Sequence, residues 1–202
     1  MTQAPTTDPM PTTIAPRIPM LTIEAAEKAA LLVGIPENMA PLSVFRVLLQ
    51  HPRLAGEIAS TLNLLLFEGN TLDQRLRELI IMRIGWKTNS VYEWTQHWRV
   101  ARMLEIPEQA LLATRDWQNA EGLTDADRAV LAATDETLED GMISDETWCS
   151  CSAHLKSEEE RIELVLAIGN WCFFSQLLKS LKVPLEDDIE PWQPDGISPI
   201  GQ

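Results

Sequence analysis

Between Leu72 and Lys87 the chain carries its most apolar stretch, and the apolar residues recur at helical spacing. Leu76, Leu79, Ile80, Ile84 and Lys87 fall on one face, and Ile81 and Met82 widen it beyond a single stripe. A face that wide has to be covered by other elements, and the neighbouring sequence supplies helices to do it. Thr22 is placed to cap a helix through Val33, with Gly34 as its stop. Ser43 starts a short helix that ends before Pro52, and Arg53–Phe67 reads as a long amphipathic one closed by Glu68-Gly69-Asn70. Ser90 to Leu104 follows, and Pro107 opens another helix. Thr124 and Asp127 frame a helix that stops at Gly141, Ser144 caps one to about Leu155, and Ser157 with Glu160 forms a capping box for a last helix to about Leu181. Strand signals are few. The expectation is an all-α domain of about eight helices.

A length of 202 residues suits one domain and a sizeable core. The boundaries read as a Pro/Thr-rich flexible arm over 1–20, a helical domain over 21–184, and an extended acidic tail over 185–202 anchored by Trp192. The start has neither the charged head nor the apolar core of a signal peptide, and no run of ~20 apolar residues suggests a membrane span. The three cysteines, Cys149, Cys151 and Cys172, have irregular spacing. They form no disulfide framework and no recognisable metal site, so free thiols in a reducing cytoplasm are expected.

Thirty acids against sixteen bases give a formal charge of −14, which argues against nucleic acid or an anionic membrane as partner. The charge is uneven. From Arg75 to Arg102 there are six bases and two acids, a +4 window that leaves −18 for the remainder. Residues 116–155 hold ten acids and one base, Arg128. A positive island of this kind can hold an anionic small molecule, with Arg83, Lys87 and Arg99 as candidate carboxylate binders. It can equally be neutralised by acids on neighbouring helices.

The same window contains His97, Tyr92, Trp86, Trp94 and Trp98. Glu93 and His97 are four apart, and Ser90 is three before Glu93, so the three share a helix face. A carboxylate beside an imidazole makes a proton-transfer pair, and Trp94 and Trp98 can wall a low-dielectric site for an unsaturated ring. A structural reading competes with this one. Ser90-Val-Tyr-Glu93 has the form of a capping box, and His97 then becomes a hydrogen-bonded core histidine.

The segment from Leu76 to His97, with its Glu78-Leu-Ile-Ile-Met-Arg-Ile-Gly start and its Ser90-Val-Tyr-Glu-Trp-Thr-Gln-His97 end, resembles the signature of the carboxymuconolactone decarboxylase family, which includes alkylhydroperoxidase-D-like proteins. The flanking Val44-Phe45-Arg46, His51-Pro52-Arg53-Leu54, Leu138–Trp148 and Ser180–Leu185 agree with it, so the resemblance spans about residues 40 to 187. It implies an alkylhydroperoxidase-D-like helical fold that assembles as a trimer or hexamer. The peroxidase branch uses a Glu, a Cys-x-x-Cys pair with a His between, and a second His. By spacing these positions are Glu78, Ser90, Tyr92, Glu93 and His97. Both thiols are absent, and neither Ser nor Glu can carry a thiolate–sulfenic acid cycle.

The decarboxylase-like branch implies a lyase or isomerase that needs no cofactor and no metal and works on a small carboxylated unsaturated or lactone substrate, as in aromatic-compound catabolism. In that reading His97 is the general acid–base and Glu93 its orienting partner. Tyr92 or Ser90 donates to the developing oxyanion, and Glu78 joins the proton network. The alternatives are a non-catalytic scaffold that kept the fold and, less favoured, a peroxidase activity of the family type.

Overall fold

The computed structural model describes residues 15–199. Nine helices account for the regular structure among them: α1 (Ile23–Val33), α2 (Ser43–Leu48), α3 (Pro52–Leu66), α4 (Gln74–Lys87), α5 (Val91–Met103), α6 (Glu108–Ala113), α7 (Asp125–Asp140), α8 (Asp145–His154) and α9 (Glu158–Leu181). Most sequence-read termini stand. Thr124 with Asp127 and Ser157 with Glu160 form reciprocal capping boxes, and Gly34 and Gly141 close α1 and α7 in the left-handed conformation. Each of the nine follows one of the segments read from the sequence, the short α6 after Pro107 included.

Helix α4 is the spine. Every residue from Leu76 to Trp86 is buried, because α5, α7 and α9 pack around it. On one side Leu76, Ile80, Ile81 and Ile84 join the main core with α1, α2, α3, α7 and α9. On the other, Leu79, Met82 and Trp86 meet Trp94, Trp98, Leu111 and Leu131 in a second, tryptophan-rich core. Helix α9 is long and apolar enough to cross a membrane by length and composition, with a mean hydropathy of 1.3 over its best window. Its face formed by Leu164, Ile168, Trp171 and Leu178 is spent on the main core.

The charged residues of α4 are paired. Arg75 meets Asp127, Arg83 meets Asp135 and Lys87 meets Glu139, at 2.7–2.8 Å. The offset is 52 residues each time, as two helices running in the same direction require. Much of the positive island is therefore balanced by the acids of α7.

The chain ends fold onto this body. The N–H of Arg17 donates to the Leu181 carbonyl at 2.8 Å, and Gln50 donates to the Pro19 carbonyl at 2.8 Å. Residues 1–14 of the proposed arm lie outside the described residues. After Lys182 closes α9 in the left-handed conformation, the tail turns back across α5 instead of extending. Trp192 packs on Trp86 and Trp94, its N–H donates to Thr95 Oγ1 at 3.1 Å, and Trp94 Nε1 donates to the Gln193 carbonyl at 2.7 Å. Arg115 makes a bidentate pair with Asp195 at 2.8 and 2.9 Å, and its guanidinium lies over Trp86 and Trp94 at 4.8 and 4.9 Å. Trp192 thus seats the tail against α4 and α5 of the same chain.

Helices α4 and α5 approach closely at Gly85. A Cβ there would lie 2.9 Å from the Trp94 backbone nitrogen, and backbone cannot yield as a flexible side chain can. Gly85→Ala is expected to lower stability by about 1–3 kcal/mol despite alanine's better helix propensity. Urea denaturation measures this, and an unchanged or raised midpoint would refute the tight α4–α5 contact.

Candidate active site

Glu78, Tyr92, Glu93 and His97 come together where α4 and α5 meet α9. Glu78 has no exposed surface. One oxygen accepts from Arg77 Nε and Nη2 at 3.1 and 3.0 Å, and the other contacts His97 Nδ1 at 2.8 Å. Arg77 is also buried, and its Nη1 donates to the carbonyls of Leu65 and Leu66 at the end of α3. The carboxylate fixes the imidazole tautomer: Nδ1 carries the proton that it donates to Glu78. The other ring nitrogen accepts from Trp171 Nε1 at 3.1 Å, with the two rings edge to face. Glu78, not Glu93, therefore orients His97.

Glu93 stands apart. Its side chain is 5% exposed, and its nearest charged neighbour is His97 Nε2 at 3.5 Å, beyond a strong hydrogen bond. It makes no hydrogen bond to Ser90, and Ser90 Oγ makes no capping bond, so the expected capping box is absent. The box fails because α5 turns this face inward: Glu93 and His97 are both drawn beneath α9 and cannot reach back to the helix start. Burial pushes the Glu93 carboxyl up to about 7, with the charge of His97 opposing and that of Glu78 adding. Burial also opposes charge on His97, but the charge and hydrogen bond of Glu78, helped by Glu93, outweigh it and raise the imidazole pKa. Two groups that both prefer to hold a proton, 3.5 Å apart, titrate as a coupled pair.

Glu93 and His97 face a cavity of about 190 Å³ between α2, α3, α5 and α9. Its walls are apolar, with Phe45, Leu62, Phe67, Trp171 and Phe174 prominent, and its polar edge is Asn38, Tyr92 and Gln96. No Lys or Arg lines it.

The other expected site residues are elsewhere. Arg83 is buried and committed to Asp135 and to the carbonyls of Thr114 and Arg115. Lys87 pairs with Glu139, and Arg99 is exposed and donates to Gln96. Trp94 and Trp98 stack on each other in the second core, 6.1 Å apart, so the indole in the cavity wall is Trp171. Tyr92 lines the cavity, but its hydroxyl already donates to Glu186 at 2.6 Å. Burial and then that carboxylate hold the phenol well above its ordinary pKa. Ser90 lies one turn earlier, outside the cavity lining.

Sequence reasoning missed Trp171 and Glu186. Glu186 also accepts from the Ser43 N–H at 2.8 Å and from Gln96, joining the tail to α2 and α5 beside the cavity. The pattern around Glu186 is an ordinary acidic tail and carries no signal of this. Among the described residues no group of His, Cys, Asp and Glu could hold a metal ion. No cysteine lines the cavity. Cys149 is exposed on α8, burial pushes the Cys151 thiol up to about 11, and burial also raises Cys172.

The raised carboxyl has a consequence for stability. Glu93 titrates near 4.5 when unfolded and at about 7 when folded, so the folded state holds the additional proton between those values. Stability attributable to it is greatest below the unfolded value and falls as pH rises through about 7. His97, also raised, loses its contribution in the same direction. Glu93→Gln removes the Glu93 part. The variant is expected to be more stable than the parent at pH 8, by at most about 3 kcal/mol, with the gain shrinking toward pH 5. Urea unfolding at the two pH values tests this; an equal gain at both would mean that Glu93 is already charged in the folded protein at pH 5.

The carboxymuconolactone decarboxylase family matches residues 53–136. No curated protein matches at the sequence level. Several solved structures share the fold. An uncharacterised peroxidase-related protein from Ralstonia eutropha JMP134, with an alkylhydroperoxidase AhpD core, superimposes with a TM-score of 0.73 at 13% identity, over 86% of this chain and 93% of that one. An uncharacterised peroxidase-related protein from Silicibacter sp. TM1040 gives 0.65 at 15%, over 91% and 96%. A variant of the debrominase Bmp8 in complex with 2,3,4-tribromopyrrole gives 0.62 at 16%, over 81% and 84%. Residues 53–136, which carry Glu78, Glu93 and His97, match the carboxymuconolactone decarboxylase family, with Ser90 and Glu93 where the sequence resemblance would place paired cysteines, and the chain has the alkylhydroperoxidase-D-like fold.

Proposed function

We propose that the protein is a cofactor-independent acid–base enzyme, a lyase or isomerase, whose proton-carrying group is Glu93. The observation that carries this reading is a carboxyl facing an apolar cavity with no strong hydrogen bond of its own and a pKa near neutrality. A general base works best when its pKa lies near the working pH, and burial supplies that shift. The roles differ from those expected of the sequence. His97 has both nitrogens engaged, Nδ1 donating to Glu78 and Nε2 accepting from Trp171, so it serves as a positioning residue beside Glu93, and Glu78 with Arg77 holds it in place.

The substrate reading changes with it. An anionic substrate was expected from the positive island, but Arg83 and Lys87 are bound to α7 and the cavity has no cation. A second negative charge beside Glu93 and Glu78 would be costly in a low-dielectric site. The lining favours a small, uncharged, unsaturated or lactone molecule with an acidic C–H, packed against Trp171 and Phe174. The small heteroaromatic ring bound by the debrominase is an occupant of comparable character. In the proposed reaction Glu93 removes a proton from carbon, the amides of Asn38 or Gln96 receive the developing oxyanion, and Glu93 returns the proton at the same or a neighbouring atom. In the lyase form of the reaction the C–CO₂⁻ bond breaks, CO₂ leaves, the electron pair passes to an enolate whose oxygen these amides receive, and protonated Glu93 supplies the proton to carbon.

Peroxidase chemistry needs a thiolate at the cavity, and none of the three cysteines lines it. Self-association as a trimer or hexamer is supported by α9, where Ile162, Val165, Leu166 and Phe173 are exposed at helical spacing.

Acid–base chemistry is read directly in D₂O, by NMR, as deuterium entering the acidic C–H of candidate lactones and enones. A turned-over compound is expected to lose exchange by about 10²–10⁴-fold in Glu93→Gln. His97→Gln, which keeps a polar side chain, is expected to move the pH profile as well as the rate. Exchange that survives Glu93→Gln within a few-fold removes Glu93 from the chemistry, and with it this function.

A further inference from the structure

A second cavity, of about 600 Å³, opens on the other side of Tyr92, between the start of α5, the end of α9 and the returning tail. Its lining is mostly apolar, from Val91, Leu178, Val183, Pro184, Leu185 and Pro191. Besides Tyr92, its polar residues are Asn89 and Ser90 at the start of α5 and Lys179 and Lys182 at the end of α9.

Two independent features mark the start of α5. The first is the α5 N-terminus, a helix of thirteen residues with no side-chain cap. The N–H groups of Val91, Tyr92 and Glu93 have no acceptor among the described residues, and aligned amides of this kind carry about half a positive charge. The second is Ser90 itself. It is 1% exposed, it lines the cavity, and its Oγ has no hydrogen-bond partner. Buried hydroxyls are nearly always paired, because leaving one unpaired costs stability. A serine at the N-cap position normally bonds to its own helix, so a Ser90 that does not is a donor left over. Two cations line the same cavity. Lys179 donates to the Thr88 carbonyl, and Lys182 makes no ion pair among the described residues. In a chain of charge −14, this is a place where an anion meets donors and positive charge together.

We propose that this cavity binds a small carboxylate with an apolar body. The carboxylate sits on the α5 N-terminus, receiving hydrogen bonds from the first-turn amides and from Ser90 Oγ. Lys182 covers its charge, and the apolar body lies against Val183, Pro184 and Leu185. The site is separate from the Glu93 cavity, which holds no cation, and its ligand differs in kind: charged here, uncharged there. Tyr92 is the wall between them and lines both. The proposal does not depend on the acid–base reading.

The test is a titration of the full-length protein with sodium benzoate, followed through backbone amides by ¹⁵N NMR, with benzamide as the uncharged comparison. Benzoate is expected to give saturable shifts at Ser90, Val91 and Tyr92 and at residues 183 and 185. Benzamide should bind at least about tenfold more weakly, since charge-assisted hydrogen bonds are the stronger ones. Lys182→Ala, an exposed substitution that leaves the fold intact, should weaken benzoate several-fold. Ser90→Ala should also weaken it and, by removing an unpaired hydroxyl, raise the thermal midpoint by a few degrees. Three results would each overturn the proposal: equal binding of benzamide, shifts gathered around Trp171 and Phe174 instead, or no saturation by about 100 mM. A less stable Ser90→Ala protein with unchanged benzoate affinity would overturn the role of the hydroxyl.

Discussion

Glu78 is a carboxylate with no exposed surface, and burying a lone carboxylate costs several kcal/mol. Its burial is possible because Arg77 and His97 take one oxygen each. The consequences run outward from that arrangement. Arg77, held by Glu78, fastens the end of α3 through two carbonyls, which sets one wall of the cavity. His97, held by Glu78, presents Nε2 to Trp171 and so fixes how α5 meets α9. The negative charge of Glu78 also adds to the burial that keeps a proton on Glu93. Structure and acid–base character share one anion.

The charge pattern around it could be seen in the sequence but not resolved there. The +4 window and the acidic stretch are plain in composition. Whether they cancel depends on which helices are neighbours, and that depends on packing. Helices α4 and α7 lie side by side in the same direction, so bases at 75, 83 and 87 meet acids at 127, 135 and 139. Arg83 shows the difference best. As a residue in a basic window it suggests substrate binding; with bidentate bonds to Asp135 and two backbone carbonyls it is a structural clamp.

Local signals were legible where local interactions decide the outcome. Thr124 with Asp127 and Ser157 with Glu160 stay within reach of their own helix starts, and Asp127 caps α7 while it also pairs with Arg75, so packing and capping agree there. Ser90 with Glu93 has the same spacing and a different fate. The start of α5 is buried, and Glu93 is drawn under α9 toward His97, so tertiary packing overrides the cap. The same override explains the aromatic walls. Trp94 and Trp98 are near His97 in sequence but point into the second core, whereas Trp171 arrives from α9, far along the chain. Spacing identified Glu78, Glu93 and His97 as a group. It could not rank their roles, because these follow from which ring nitrogen is already occupied.

The tail shows how far a site can depend on a segment without a motif. Glu186 is one of many acids in an acidic chain, yet it accepts from Tyr92, Gln96 and the Ser43 amide. Tyr92 would otherwise be a hydroxyl donor facing the cavity, the role expected of it. By accepting that hydrogen bond, Glu186 leaves the cavity with amide donors and the Glu93–His97 pair, and it stiffens the wall that separates the two cavities. An amide can stabilise a developing oxyanion without competing for the proton in play, whereas a phenol can supply one. With Tyr92 engaged by Glu186, the titrating groups left at this cavity are Glu93 and His97, 3.5 Å apart, and neither can change its charge without moving the other.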